Sequence, residues 1–412
     1  MHKAPMHSDT CDEARISRAL GQFDYVLWVA LGGTLAWIVC RLLSSRGSAK
    51  KKQLVNRRRC ISSELPPVFP NGWVPLLQSA NLQVNEAKPV TAIGQDFVVF
   101  RTEDGVAHVL DAYCPHLGAH LGVMGRVVGD CIVCPFHGWK FQGDTGACTH
   151  VPYASKLPTF AKVKTWTSLE KYGLIFIWYH AEEEQPEWSI DDFTELSSGV
   201  FKQMARHETK SQGHVEDIAE NVADTAHLNC VHKASWLLSA EQYAREAAKP
   251  DSWISRFMSV TWEAAWSPAY FSASASFAFD MSLFGWKPRI LHCRGVISQC
   301  GPYLVVARIE SAFGCFVSMM SITPEGPFEQ RIVHRIFAKP SIISWICCIG
   351  IEWGYANMLE RDFVIMRNKI VLKNPALVKE DDGILTFRRW YKRFYTRNSP
   401  TWQDVKERAL EW

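Results

Sequence analysis

The feature that most constrains this chain is a pair of cysteine–histidine turns, Cys114-Pro115-His116 and Cys134-Pro135-Phe136-His137, with seventeen residues between them. Each turn has proline directly after the cysteine and a glycine just beyond, Gly118 in one and Gly138 in the other, the composition of a tight loop. Two thiolates can hold one iron of a [2Fe–2S] cluster and two neutral imidazoles the other, a mixed ligation that raises the reduction potential above that of an all-thiolate cluster. The pattern therefore gives Cys114 and Cys134 to one iron, and His116 and His137 to the other. A zinc knuckle built on Cys131-x2-Cys134 would leave the C-x-H turn without a role. Cys131 is accordingly read as a strand residue in the apolar run Cys131–Val133, and His120 and His150 as structural.

A second constellation lies about ninety residues on, in Asp224-x2-His227-x4-His232. Asp224 and His227 are spaced to share one helix face. His232 would point away on a continuing helix, so the helix must end near Asn229-Cys230 for both imidazoles to meet. Two histidines and one carboxylate leave open positions on a mononuclear non-haem Fe(II). The carboxylate should come from far along the chain. Asp362 is flanked at helical spacing by Met358, Leu359, Ile365 and Met366 in the helical stretch 352–372, where an unpaired carboxylate is costly to bury unless a cation neutralises it. Glu360 remains an alternative, while Asp381 and Asp382 sit in a polar turn before Gly383. Asn221 is a candidate hydrogen-bonding group behind the ligands, and His214 reads as an ordinary polar residue.

Around these motifs the chain divides by composition. Residues 1–24 form a polar tail of mixed charge. Residues 25–43 are apolar apart from Thr34 and Arg41, nearly the ~20 residues that cross a bilayer. The segment 44–65 is basic, and from Arg41 to Arg59 there is no acidic residue, which by the positive-inside rule puts everything after the anchor in the cytosol. Residues 66–185 read as short strands and turns, among them Phe97–Phe100, His108–Leu110 and Ile175–Trp178, with a turn at 143–146. Residues 186–412 form a second domain. There Phe271 to Phe279 alternate apolar and small residues with period two, and 303–310, 314–323 and 330–338 read as further strands. Residues 341–351 are apolar but span about half a bilayer; they read either as a buried helix start or as a second, monotopic membrane contact.

The 13 cysteines lack disulfide-scaffold spacing and suit a reducing compartment. A net charge of +3 argues for no nucleic-acid partner. No G-x-G-x-x-G segment follows a strand, so the chain itself binds neither NAD(P)H nor flavin, and electrons must come from a separate reductase.

The run Cys114 to Gly122 with Cys134 to Trp139 resembles the Rieske non-haem iron oxygenases, and Gly125 to Asp130 with His150 to Ala154 is similar to the Neverland family of cholesterol 7-desaturases. The resemblance extends from about residue 66 to the C-terminus. Together with the N-terminal transmembrane helix read from the apolar run, it implies an α+β chain with a Rieske [2Fe–2S] β domain and a helix-grip catalytic domain. It also implies His227, His232 and Asp362 as iron ligands, and Asp224 as the bridge between cluster and iron ligands of adjoining subunits in a homotrimer. The implied reaction converts cholesterol to 7-dehydrocholesterol with O2 and NAD(P)H-derived electrons, in steroid hormone biosynthesis at the endoplasmic reticulum membrane. Competing readings are a Rieske steroid or ketosteroid hydroxylase, an electron carrier without its own catalysis, and a zinc-binding module. Met124 departs from the family pattern, which has glycine there.

Overall fold

This computed structural model describes residues 65–234, 236–247, 257–370, 372 and 375–408. The tail 1–24, the anchor 25–43 and all of the linker 44–65 except Leu65 lie outside the described residues. Ten short strands come first: β1 (Gly72–Gln78), β2 (Ala87–Ala92), β3 (Gln95–Arg101), β4 (Ala107–Asp111), β5 (Arg126–Val128), β6 (Cys131–Val133), β7 (Lys140–Gln142), β8 (Cys148–His150), β9 (Ser168–Lys171) and β10 (Leu174–Tyr179). They pair as three antiparallel sheets, β1-β10-β9, β2-β3-β4 and β5-β6-β7-β8. Strand β3 shows why Phe97–Phe100 is apolar throughout. Val98 and Phe100 pack with Cys114, Cys134 and Phe141, whereas Phe97 and Val99 pack with Leu76 and Ile175 in the main core. Successive side chains of one strand thus serve two cores.

The larger sheet has seven antiparallel strands in the order β11-β17-β16-β15-β14-β13-β12. They are β11 (Lys202–Gln212), β12 (Met258–Pro268), β13 (Ser272–Leu283), β14 (His292–Cys300), β15 (Leu304–Ser311), β16 (Gly314–Gly326) and β17 (Glu329–Ala338). The strands expected from residues 271, 303, 314 and 330 onward are all present. Along β16, Val317 and Met319 face Trp73, Phe176 and Trp178 of the β1-β10-β9 sheet. Phe316, Met320 and Ile322 lie in the cores on the opposite face, with Cys348, Leu359 and Phe363.

The helices are α1 (Thr194–Ser197), α2 (Val215–Glu220), α3 (Thr225–Val231), α4 (Ala240–Ala247), α5 (Ile342–Asn368), α6 (Asp382–Tyr391) and α7 (Trp402–Arg408). Helix α5 corrects the sequence reading at its C-terminal end and, of the two readings of residues 341–351, departs from the buried helix start. It is one continuous helix of 27 residues, capped by the Ser341 hydroxyl, and it ends at Asn368 rather than continuing to 372. Its start is also exposed, with Ile342, Ile343, Trp345 and Ile346 open to solvent. Farther along, Glu352, Leu359, Asp362, Phe363 and Met366 are buried. Between α5 and the sheet lies a polar trio: Glu352 is 2.8 Å from His334 Nδ1, and Ser318 Oγ is 2.6 Å from His334 Nε2.

The C-terminal segment holds α2 in place. Trp390, Tyr391 and Phe394 pack on Ala219 and Ala223, and Arg388 binds both carboxylate oxygens of Glu220 at 2.6 and 3.0 Å. Burial, with Glu220 and Asp217 nearby, pushes the Glu216 carboxyl up to about 7 from 4.5. The folded chain thus binds this proton more tightly than the unfolded one. That stability is fully present below about pH 4.5 and is lost as the pH rises through about 7. Glu216→Gln is expected to stabilise the protein by roughly 2–3 kcal/mol at pH 8 and hardly at all at pH 4, as read from urea midpoints at the two pH values. An equal gain at both would show that the carboxyl does not titrate in this range.

Candidate metal centres

The two cysteine–histidine turns are built alike, which explains their shared proline and glycine. The Cys114 amide donates to Ala119 O at 2.9 Å and the Gly118 amide to Cys114 O at 2.9 Å; the Cys134 amide donates to Trp139 O at 2.8 Å and the Gly138 amide to Cys134 O at 3.1 Å. Both glycines have the left-handed φ that closes such a turn, +71° and +73°. The result brings the four expected ligands together. Cys114 and Cys134 are buried side by side, close enough to hydrogen-bond, and the His116 and His137 rings meet edge to face with centroids 4.7 Å apart. His116 stacks on Trp139, while the half-buried imidazoles lie nearer the surface than the sulfurs.

These residues fit an iron–sulfur cluster. Burial pushes the Cys114 thiol up to about 11, so its thiolate needs a cation to form here. His137 Nδ1 is buried without a hydrogen-bond partner, leaving imidazole chemistry unspent. Cys131 stays apart, bonded to Asp130 and Thr149, and His120 accepts from the Gly122 amide. Among the described residues every cysteine is a free thiol. Met124 is 86 % exposed with φ of +63°, a left-handed position where a family glycine carries no steric penalty.

The second centre forms where α3 meets α5. Helix α3 ends at Val231 and His232 caps it, close to where the sequence required the helix to stop. His227, His232 and Asp362 each bring a ligand atom to within 4.8 Å of the others. His232 Nε2 lies 3.1 Å from Asp362 Oδ1, and both side chains are almost completely buried. Asn221 Nδ2 donates to Asp362 Oδ2 at 3.0 Å, the supporting role expected of it. Two imidazoles and a carboxylate converging at one point are the donor set of an open-sided divalent iron site. Neither Glu360 nor Asp381 nor Asp382 belongs to the group that converges there.

Asp224 departs from the expected placement. It does not share a helix face with His227 but precedes the helix as its N-cap, Oδ1 accepting from the His227 amide at 3.2 Å. Its backbone carbonyl accepts from His227 Nδ1, which fixes that ring's proton on Nδ1 and leaves Nε2 free for a metal. The carboxylate remains about a third exposed, in a cleft shared with Thr225, Trp266 and Asp381. His214 is structural: it caps α2 through the Glu216 amide and contacts Pro67 O.

Residues 72–161 match the Rieske [2Fe-2S] domain, and residues 177–268 with 350–395 match the C-terminal domain of 3-ketosteroid 9alpha-hydroxylase. A cholesterol 7-desaturase of Xenopus laevis is 38% identical over 373 residues, covering 89% of this chain and 80% of that protein. The oxygenase component of a 3-ketosteroid-9-alpha-monooxygenase from Rhodococcus rhodochrous is 27% identical over 338 residues, 79% of this chain and 83% of that one. In fold, the chain is similar to dicamba monooxygenase bound to dicamba, with a TM-score of 0.60 at 17% identity over 84% of this chain and 100% of the other.

Proposed function

The chain belongs to the cholesterol 7-desaturase family and is an oxidoreductase of the Rieske oxygenase kind, and from that premise we propose that it converts cholesterol to 7-dehydrocholesterol with O2 and electrons passed from NAD(P)H by a separate reductase. The observation that carries the reading is the convergence of His227, His232 and Asp362 in a chain that also contains a Rieske domain. We assign Cys114, His116, Cys134 and His137 to the [2Fe–2S] cluster, and His227, His232 and Asp362 to Fe(II), within a cluster domain at 66–185 and a catalytic domain at 186–412. When bound, the cluster supplies single electrons and the iron activates O2 to remove hydrogen atoms from an unactivated C–H bond.

The chain's own residues do the rest. The Asp224 carbonyl holds the proton on His227 Nδ1, and the Asn221 amide orients Asp362 through Oδ2. Apolar packing by Leu359, Phe363 and Met366 beside Asp362 keeps water from the centre. Two hydrogens must leave neighbouring sterol carbons, so the reading requires the ring to be held with both C–H bonds facing the open side of the site. The cluster tip presents Leu117, Phe136 and Tyr153 to solvent, a surface suited to docking near Asp224 of an adjoining subunit in a homotrimer. The apolar stretch 25–43 is assigned as a single-pass anchor in the endoplasmic reticulum membrane, with the catalytic part cytosolic.

Hydroxylation is the second reading, favoured by the catalytic-domain match to a ketosteroid hydroxylase. A single-turnover experiment separates the two. The chemically reduced protein is mixed with cholesterol and O2 without reductase, and the sterol is read by mass spectrometry. A product lighter by two hydrogens is expected. One heavier by an oxygen atom would replace the desaturase with a hydroxylase.

A further inference from the structure

Apolar side chains left in water are unremarkable singly, but a cluster ringed by cations needs an explanation. At one end of the seven-stranded sheet, Thr323 and Pro324 of β16 bond to Pro75 and Ile93 of the cluster domain. The other end carries no such cover among the described residues. There the β13–β14 hairpin exposes Phe284 (75%) and Trp286 (63%), and the start of α5 exposes Ile342 (79%), Ile343 (60%), Trp345 (53%) and Ile346 (42%). Sheet register places these segments at the same end: Met258 pairs with Leu283, Cys293 with Ser311, Ser311 with Gly314, and Phe316 with Ala338 just before α5.

Two further observations point to an occupant. Phe284 has φ of +49°, a left-handed backbone that costs a bulky residue energy while it holds the ring out in solvent. Lys202, Lys287, Arg289 and Lys339 are exposed at this same end, whereas Asp280, the acid of the hairpin, is paired with His292 at 2.8 Å. Tryptophan and phenylalanine with isoleucine, bordered by lysine and arginine, is the composition of a surface that sits at the boundary of an anionic bilayer.

We propose that this end of the sheet, Phe284–Trp286 together with Ile342–Ile346, is a monotopic docking surface for an anionic lipid bilayer. Helix α5 then runs from the lipid surface to Asp362, twenty residues or about 30 Å along its axis. That geometry offers a route by which a bilayer-dissolved sterol reaches the iron ligands; this second step rests on the cholesterol reading above, and the docking does not.

The test uses the full chain on phosphatidylcholine vesicles containing phosphatidylserine and a lipid with a photoactivatable acyl chain, followed by peptide mapping. Label in both 284–286 and 342–346 is expected. Label confined to 25–43 would overturn the proposal. So would a change of oligomeric size in the double variant Ile342→Asn/Trp345→Ser with these segments unlabelled in the wild type, because the face would then be a contact between protein copies. In kinetics, the double variant is expected to raise KM for vesicle-borne cholesterol roughly a hundredfold, the loss of two apolar side chains from lipid, with kcat unchanged and detergent-dissolved cholesterol turned over normally. Equal KM values for variant and wild type on vesicles would reject the delivery route. If wild type fails to convert cholesterol even in detergent, the desaturase reading falls, and the lipid labelling still decides the docking.

Discussion

Asp362→Ala is expected to yield a protein that stays red-brown, keeps its acid-labile sulfide, loses one iron per cluster and makes no detectable sterol product. The carboxylate is almost fully buried between His232, at 3.1 Å, and the Asn221 amide, at 3.0 Å. Removing it takes away the only anionic donor of the trio. Two neutral imidazoles hold a hard divalent ion far less well than two imidazoles and a carboxylate, so the metal rather than the fold should be lost. Iron and sulfide assays, with product analysis on the same sample, give the result. Glu360→Ala is the control, because Glu360 stands two residues away yet outside the converging group. Iron retained in Asp362→Ala but lost in Glu360→Ala would transfer the ligand role to Glu360.

How much of this was readable beforehand depended on whether a contact is local. The cluster turns were legible because each pairs a cysteine with a histidine two or three residues away, and one glycine conformation closes both loops. His227 and His232 were legible as a pair because the chain could bring them together only by ending a helix between them, and α3 does end at Val231. Asp362 was visible as a carboxylate on an apolar stripe that needs a cation, and the family resemblance, not any local pattern, joined it to His232 across 130 residues. The first turns of helix α5 were left between two readings for a physical reason. A buried helix shows a one-sided apolar stripe, but this one is apolar on its exposed side over the first turns and polar at buried Glu352 and Asp362 farther on. The Ser318–His334–Glu352 trio left no sequence signal, because its members come from two strands and a helix.

Asp224→Ala is expected to bind both metals and yet turn over at background rate, because its side chain and backbone have separable tasks. The backbone carbonyl that fixes the His227 ring survives the substitution, so the iron ligand keeps its tautomer. Loss of the N-cap bond to the His227 amide costs about 1 kcal/mol on a short helix, too little to unfold the centre. What disappears is a partly exposed carboxylate beside the assigned iron ligands, in a cleft lined also by Glu380 and Asp381, where it can accept a hydrogen bond from a cluster imidazole. Asp224→Asn keeps the cap and removes the charge, which separates the two tasks. Mixing the prereduced variants with O2 and cholesterol and following cluster oxidation optically should show both slowed by orders of magnitude, with iron content unchanged. If Asp224→Ala loses iron while Asp224→Asn reacts normally, Asp224 is a helix cap and the electrons travel by another path. If both hold iron and only cluster oxidation fails, the carboxylate itself is the bridge.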